Sequence, residues 1–455
     1  MGPGRRRAVE PRRLRCQLNT FYIDNHGCAK NQVDAEEMAT RLVSDGWTQS
    51  AGLADAALVI VNTCGFIEDA KKESIEAVMA VKAAYPGKKV LVAGCLAQRY
   101  SDVLGADMAE ADGIFGNGNL SLVGQAALAA VAGDRKTIAP ERIAYAPTRR
   151  STLMGFPRSA YLKIAEGCNN RCSFCAIPLI RGDISSRDPD DVAAEFAELV
   201  SGGAFEVCLI GQDLGSYGLD RARRPLLPEL LSSLSSVAGD WRVRMLYIHP
   251  DRFPRALLDA CTRDPRILPY FDLPFQHASE PILRSMNRSG DAAAYLSLLA
   301  DIRSSLPGAV IRSTFLVGFP GETDDDFAAL MRFQEAARVD WLGAFAYSRE
   351  EDTPAYSMKG RVPRRLAVAR KKEIEEAQRP ITELALERFV GTAQRVLVEE
   401  RIEGEDLAIA RGYMNAPEVD GSVVVVGGSL SAGDVVDVHV KAVRGVDLEA
   451  VPRAR

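Results

Sequence analysis

Three short, uninterrupted apolar runs stand out early in the chain: Thr20-Phe-Tyr-Ile-Asp24, Ala57-Leu-Val-Ile-Val61 and Lys89-Val-Leu-Val-Ala93. Each is too short for a helix and shows no polar alternation, so each reads as a strand buried on both faces, as in a parallel sheet. The stretches Asn31 to Asp45, Ile67 to Ala84 and Leu96 to Leu104 follow them with helical spacing. Strand and helix in alternation predict an open parallel α/β domain over residues 19–146. From Pro147 to Pro157 the composition turns to Pro, Arg, Thr and Gly, the mark of a linker. A second series begins near Ser159, with strands predicted at Ala160 to Ala165, Phe205 to Ile210, Val243 to Ile248, Tyr270 to Phe275, Val310 to Leu316 and Trp341 to Tyr347. Helices at Pro189 to Ser201, Pro225 to Ser236 and Asp324 to Ala337 lie between them. Six units are too few for a closed eight-stranded TIM barrel, so residues 158–362 are expected to form a partial, open barrel. An Arg-, Lys-, Glu- and Ala-rich stretch at 363–390 reads as a connecting helix. Beyond it, Arg395 to Val398, Leu407 to Ala410, Ser422 to Val426 and Asp434 to Val440 are short strands between Gly-rich turns. They predict a small antiparallel barrel over 391–455.

Composition narrows the class. At 455 residues and 47% hydrophobic the chain exceeds what one core holds, and two or three domains are expected. It contains no apolar run of about 18 residues, so no membrane crossing is expected. Nine cysteines without a secretory signal point to a cytoplasmic setting in which thiols stay reduced and open to metals. A net charge of −5 argues against a globally basic nucleic-acid binder. The first 15 residues carry six Arg against Glu10, with too much Pro and Gly for an amphipathic helix. Residues 1–18 therefore read as a disordered Arg-rich extension.

The cysteines carry the chemistry. Cys168, Cys172 and Cys175 crowd one loop, Glu166-Gly-Cys-Asn-Asn-Arg-Cys-Ser-Phe-Cys-Ala-Ile-Pro178, directly after a predicted strand. Three thiolates this close favour a soft metal, and on a four-iron cube they leave one iron open to a small molecule. The alternatives for this loop alone are a zinc knuckle or reduced core thiols. Cys28, Cys64 and Cys95 each follow one of the first three strands, at His26-Gly-Cys28, Asn62-Thr-Cys64 and Ala93-Gly-Cys95. Ligands of open α/β sheets collect beyond the carboxyl ends of the strands, so these three residues are expected to meet as a second metal site. Cys208 lies within a strand, Cys261 on a helix and Cys16 in the arm, and none is assigned chemistry.

Other segments share the strand-end rim of the second domain. Gly211-Gln212-Asp213, Gln276 with His277-Ala-Ser279, and Gly318 with Glu322 combine glycines that admit a ligand with polar groups suited to ribose hydroxyls or an ammonium. His277 is expected to be a structural hydrogen-bonding group rather than a proton-transfer residue. Residues 391–455 hold seven Lys or Arg against eleven Asp or Glu, an acidic surface better suited to a basic protein than to a phosphate backbone. Glu418 and Asp420, in the turn Pro417-Glu-Val-Asp-Gly421, are the expected docking residues.

The cysteine loop resembles the signature of the radical S-adenosylmethionine (SAM) superfamily. With the amino-terminal triad and the carboxyl-terminal barrel, the chain after residue 19 resembles the methylthiotransferases, whose barrel is the TRAM domain. Gly27-Cys-Ala-Lys-Asn31, Val61-Asn-Thr-Cys-Gly-Phe-Ile67, Leu162-Lys-Ile-Ala-Glu-Gly-Cys168, Asp272-Leu-Pro-Phe-Gln-His-Ala-Ser279 and Ala416-Pro-Glu-Val-Asp-Gly421 are similar to the branch that modifies an aspartate on the twelfth protein of the small ribosomal subunit. The sister branch modifies tRNA adenosine and is associated with a Ser-Gly-Ser type sequence at the position of His277-Ala-Ser279. The resemblance implies two 4Fe-4S clusters. One, on Cys168, Cys172 and Cys175, binds SAM at its open iron and yields a deoxyadenosyl radical; the other, on Cys28, Cys64 and Cys95, carries the sulfur to be methylated and transferred. With SAM as the cofactor, the rim residues Gly211, Gln212, Asp213, Gln276, Gly318 and Glu322 are its expected contacts, and the implied partners are the ribosomal protein or subunit, an electron donor such as flavodoxin, and a sulfur donor. No catalytic residue beyond the cluster ligands is assigned. A non-catalytic iron-sulfur electron carrier is the reading from another class, and it leaves both triads and the large barrel unexplained.

Overall fold

The computed structural model describes residues 19–145 and 149–453, so the extension expected at 1–18, with Cys16, lies outside the described residues. The chain divides into two compact units: one runs to Leu153 and takes in Leu179–Arg181, and the other comprises Met154–Pro178 and the chain from Gly182 onward.

The first unit is built on a parallel sheet. Its strands are β1 (Thr20–Asn25), β2 (Thr48–Gln49), β3 (Leu58–Thr63), β4 (Lys89–Gly94), β5 (Gly113–Gly116) and β6 (Thr137–Ile138), in the order β2-β1-β3-β4-β5-β6. All six residues of β3 are buried, which is why that segment is apolar without alternation. β5 and β6 are absent from the sequence reading because four and two residues are too few to show a period. The predicted helix Leu96 to Leu104 is in fact two, Cys95–Arg99 and Ser101–Asp107, parted at Tyr100, whose φ of −122° is not helical. In helix Ala29–Ser44 the polar residues Lys30, Asn31, Gln32, Asp34, Glu36 and Glu37 are all buried. Part of that burial comes from the stretch after β6: Tyr145 Oη donates to Glu37 Oε1 at 2.8 Å, and Arg150 pairs with Glu36.

In the second unit β7 (Ser159–Lys163), β10 (Glu206–Ile210), β11 (Arg242–Met245), β12 (Ile267–Asp272), β13 (Val310–Val317) and β14 (Trp341–Ala346) form an open parallel sheet, ordered β14-β13-β12-β11-β10-β7. Between β7 and β10 lies a two-stranded ribbon, β8 (Ala165–Glu166) with β9 (Ser185–Ser186). The sheet does not close, as six units predict. Its core gathers Leu162, Phe196, Leu209, Leu230, Val243, Phe271 and Phe315, and Phe196 meets Trp241 edge-on at 4.9 Å. β11 stops at Met245 rather than Ile248, because its register against β12 shifts between Val243 and Met245 and Tyr247 turns to φ +66°.

Strands β15 (Ala393–Arg401), β16 (Leu407–Arg411), β17 (Val423–Val426), β18 (Val435–Arg444) and β19 (Asp447–Pro452) close a barrel in the same unit. The barrel is not wholly antiparallel: β17 and β19 pair in parallel. It is fixed to the amino-terminal edge of the central sheet by buried charges. Glu206, the first residue of β10, is fully buried. It takes bonds from Arg242, from Arg244 Nε at 3.1 Å and, from the small barrel, from Arg411. Arg242 and Arg244 in turn donate to the carbonyls of Arg411 at 2.9 Å and Tyr413 at 2.8 Å. Trp341 Nε1 donates to Met414 O at 2.7 Å. Among the described residues, no helix is long and apolar enough to cross a membrane.

Candidate functional site

β1, β3 and β4 are neighbours in register, with Asn25 opposite Asn62 and Asn62 opposite Ala93. Their carboxyl ends are therefore level, and Cys28, Cys64 and Cys95 emerge from one edge of the sheet. The backbone there demands glycine. Gly94 has φ +95°, and a Cβ on it would lie 2.7 Å from Thr63 O. Asn31 ties the ends together, donating to the carbonyls of His26 and Thr63 at 2.9 Å each. Cys28 is exposed, Cys64 half-buried and Cys95 buried. Burial pushes the Cys95 thiol up to about 12, against the pull of Arg181 and with further upward pressure from Cys28 and Cys64. Desolvation opposes ionisation at Cys28 as well, yet the charges of Lys30 and Arg181 and the backbone N–H groups of Asn31 and Lys30 together outweigh it, and its thiol lies below the ordinary value. Among the described residues no three such side chains are close enough to hold a single metal ion, and three thiols at level strand ends are the donor type that a multi-iron cluster takes.

The second triad lies on the loop between β8 and β9. Gly167 opens it at φ +72°, where a Cβ would collide with Asp183 O at 2.1 Å. The loop is pinned from several sides: Ser173 N donates to Met286 O at 3.1 Å, Ser173 Oγ to Ser285 O at 2.7 Å, and Asn287 Nδ2 to the carbonyls of Asn170 and Arg171. Backbone N–H groups point at the sulfurs, from Asn170 to Cys168 Sγ at 3.5 Å and from Ile177 to Cys175 Sγ at 3.4 Å. Phe174 packs against Ile282, Met286, Leu316 and Phe319, giving the loop a dry flank. Burial pushes the thiol of Cys168 up to about 11 and that of Cys175 to about 12. Pinned backbone, N–H···S bonds and an apolar shield suit a cluster held by three thiolates. Beside the loop opens a cavity of about 560 Å³ lined by Asn170, His249, Asp251, Arg252, Arg288 and neighbouring residues.

None of the six residues expected to contact SAM lines that cavity. Asp213 connects to it indirectly, accepting from Asn170 Nδ2 at 2.9 Å and from His249 N at 3.0 Å. Gln212 donates to Glu166 at 3.4 Å, while its own Oε1 is buried with no hydrogen-bond partner among the described residues, an acceptor suited to an ammonium or hydroxyl donor. Gln276, at φ +68°, is half-buried four residues beyond the end of β12, where it bridges Phe315 of β13. Glu322 is occupied, taking bonds from Gly318 N at 2.7 Å and Arg370 at 2.6 Å. His277 is fully buried. Its Nδ1 accepts from the backbone N–H groups of Ala278 and Ser279 at 3.0 Å each, which makes it a structural group. Burial lowers its pKa to about 4, below the ordinary 6.5. The unfolded chain therefore takes up this proton first: the stabilisation is whole above pH 6.5 and is lost as pH falls toward 4. Denaturant titrations at pH 7 and pH 4.5 should show His277→Gln losing less stability on acidification than the parent, by about 1.4 kcal/mol per pH unit at most.

The docking pair separates. Glu418 is exposed at φ +67°. Asp420, expected beside it on the surface, has a side chain only 1% exposed. It accepts from Tyr270 Oη at 2.6 Å, Arg312 Nε at 3.2 Å and Ala416 N at 2.7 Å. Burial pushes its carboxyl up to about 6. Asp420 thus fastens the small barrel to the central sheet and is not available to a partner. The sequence reading also missed Arg181, which reaches Cys95 Sγ at 3.1 Å, and Asn117, whose Nδ2 lies 3.3 Å from the same sulfur. The only local signal for Arg181 is a charge ending the apolar run Ile177-Pro-Leu-Ile180.

Comparison with known proteins agrees with this architecture. Residues 20–116 match the "Uncharacterized protein family UPF0004", 162–333 the "Radical SAM superfamily" and 390–452 the "TRAM domain". Among solved structures, the radical S-adenosylmethionine methyltransferase TsrM of Kitasatospora setae, with cobalamin and a [4Fe-4S] cluster bound, superposes with a TM-score of 0.55 at 14% identity, over 74% of this chain and 77% of that one. That likeness is one of fold. The "Ribosomal protein uS12 methylthiotransferase RimO" of Treponema denticola is 46% identical over 94% of this chain and all of its own length. Those of Natranaerobius thermophilus and Geobacter sulfurreducens are 38% and 37% identical, each over 93% of this chain and 96% of its own length. The chain belongs to the family of RimO ribosomal protein uS12 methylthiotransferases.

Proposed function

We propose that this protein is a cytoplasmic radical SAM enzyme that replaces a hydrogen on the β-carbon of an aspartate of ribosomal protein uS12 with a methylthio group. The observation that carries the reading is the pair of cysteine triads, one at the carboxyl ends of three parallel strands and the other on the loop after β8, in a chain that matches a uS12 methylthiotransferase over 94% of its length. Cys168, Cys172 and Cys175 hold one 4Fe-4S cluster; Cys28, Cys64 and Cys95 hold the other. When bound, the clusters and SAM supply radical generation and the sulfur to be transferred, chemistry that no side chain provides.

The chain's own residues bind, orient and exclude water. Asn170 and Ile177 direct N–H groups at the sulfurs, and Phe174 keeps solvent from one flank. Gln212, with its open Oε1, is the best placed of the expected SAM contacts; Gly211, Asp213, Gln276, Gly318 and Glu322 shape the surrounding rim. Glu418 remains available to a basic partner such as uS12. An external electron donor of the flavodoxin kind and a sulfur donor complete the requirement.

The test is a reaction of anaerobically loaded protein with SAM, reductant, sulfide and purified uS12, followed by peptide mass spectrometry. A single aspartate gaining one methylthio group is the expected product. Deoxyadenosine formation with unmodified uS12 would reject the substrate.

A further inference from the structure

Arg181 is 1% exposed and belongs to the first unit. Its guanidinium donates to Asn31 Oδ1 at 2.8 Å, Asp34 Oδ2 at 2.9 Å and Cys95 Sγ at 3.1 Å. Asp34 is itself 2% exposed, so a cation and an anion lie together in a dry pocket beside one thiol of the triad. Asp34 balances the charge of the buried arginine, but a guanidinium has five N–H donors and needs further acceptors. The contact to sulfur brings charge to the ligand as well.

We propose that Arg181 is a positioning residue of the Cys28, Cys64 and Cys95 site: it holds Cys95 Sγ and, with Asp34 as opposing charge, sets the reduction potential of the cluster bound there. The inference rests on the cluster assignment made under Proposed function. A positive charge and a hydrogen bond on a ligand sulfur stabilise the reduced, more negative state and raise the potential, whereas a nearby carboxylate lowers it. The two residues therefore act with opposite sign, although both belong to one salt bridge.

The full chain carrying Cys168→Ala, Cys172→Ala and Cys175→Ala isolates the cluster in question. In that background a dithionite titration followed by electron paramagnetic resonance gives the midpoint potential, and iron analysis gives the loading. Arg181→Gln should shift the potential negative, Arg181→Lys should shift it less, and Asp34→Asn should shift it positive. A purely structural salt bridge predicts shifts of one sign or none in both Arg181→Gln and Asp34→Asn, and that result would overturn the proposal. Should Arg181→Gln fail to load iron, the signs for Arg181→Lys and Asp34→Asn decide in the same way. Absence of iron from the parent would reject the cluster assignment and this inference with it, whereas a loaded parent with unmoved potentials would reject the inference alone.

Discussion

Replacing Cys168, Cys172 and Cys175 together by alanine abolishes reductive cleavage of SAM and removes about half of the iron that the anaerobically loaded protein holds. The reason lies in how the loop is built. Besides the N–H···S contacts, its backbone is held by bonds of Ser173 and Asn287 that do not involve the sulfurs, so the substitution removes the ligands and leaves these ties in place. The complementary change at Cys28, Cys64 and Cys95 should also remove about half of the iron. That variant should still form deoxyadenosine but release unmodified uS12. Deoxyadenosine formation, iron content and uS12 mass, measured on the two variants side by side, form a cross pattern that a single shared site does not produce. Survival of SAM cleavage in the first variant would remove the radical assignment from this loop.

Glu206→Gln should cost about 3–5 kcal/mol, the usual penalty for breaking a buried ion pair on one side. Three guanidiniums, of Arg242, Arg244 and Arg411, converge on this one carboxylate. Burial already holds Arg242 down to about 9 and Arg411 to about 10, so losing this carboxylate removes the one anion bonded to all three. Glu399 bonds Arg411 Nε at 2.6 Å but acts on Arg242 and Arg244 only through its charge, without a hydrogen bond to either among the described residues. The damage should appear first where the small barrel meets the central sheet. Trp341, bonded to Met414 O, reports on that contact by its fluorescence in a Trp47→Phe, Trp241→Phe background. A denaturation midpoint for Trp341 that moves by less than about 1 kcal/mol would mean that the network is not what fixes the barrel.

The strand ends that carry Cys28, Cys64, Cys95 and Cys168 were legible because they announce themselves: an apolar run, then glycine or a small polar residue close before the cysteine. The parallel sheets were legible for the same reason. What escaped had long-range causes. Arg181 meets Asn31 from 150 positions away, and nothing in Ile177-Pro-Leu-Ile-Arg181 marks its target. Asp420 sits in a turn whose Pro, Glu and Gly suggest solvent, but Arg312 lies 108 positions earlier and Tyr270 150 positions earlier, and they take its carboxylate inside. β19 went unread because Asp447-Leu-Glu-Ala-Val-Pro452 alternates over only a few residues and ends in proline. Its parallel pairing with β17, which completes the barrel, has no local signature. Glu322 shows the converse limit: its position on the rim was readable, but its engagement by Arg370 was not.

One competition decides the substrate. Purified, cluster-loaded protein is given SAM, reductant and sulfide together with both uS12 and bulk tRNA in a single reaction, and each is analysed by mass spectrometry. A methylthio group on one aspartate of uS12, with tRNA adenosines unchanged, is the predicted result. Methylthiolated adenosine in the tRNA, with uS12 unmodified, would contradict the account.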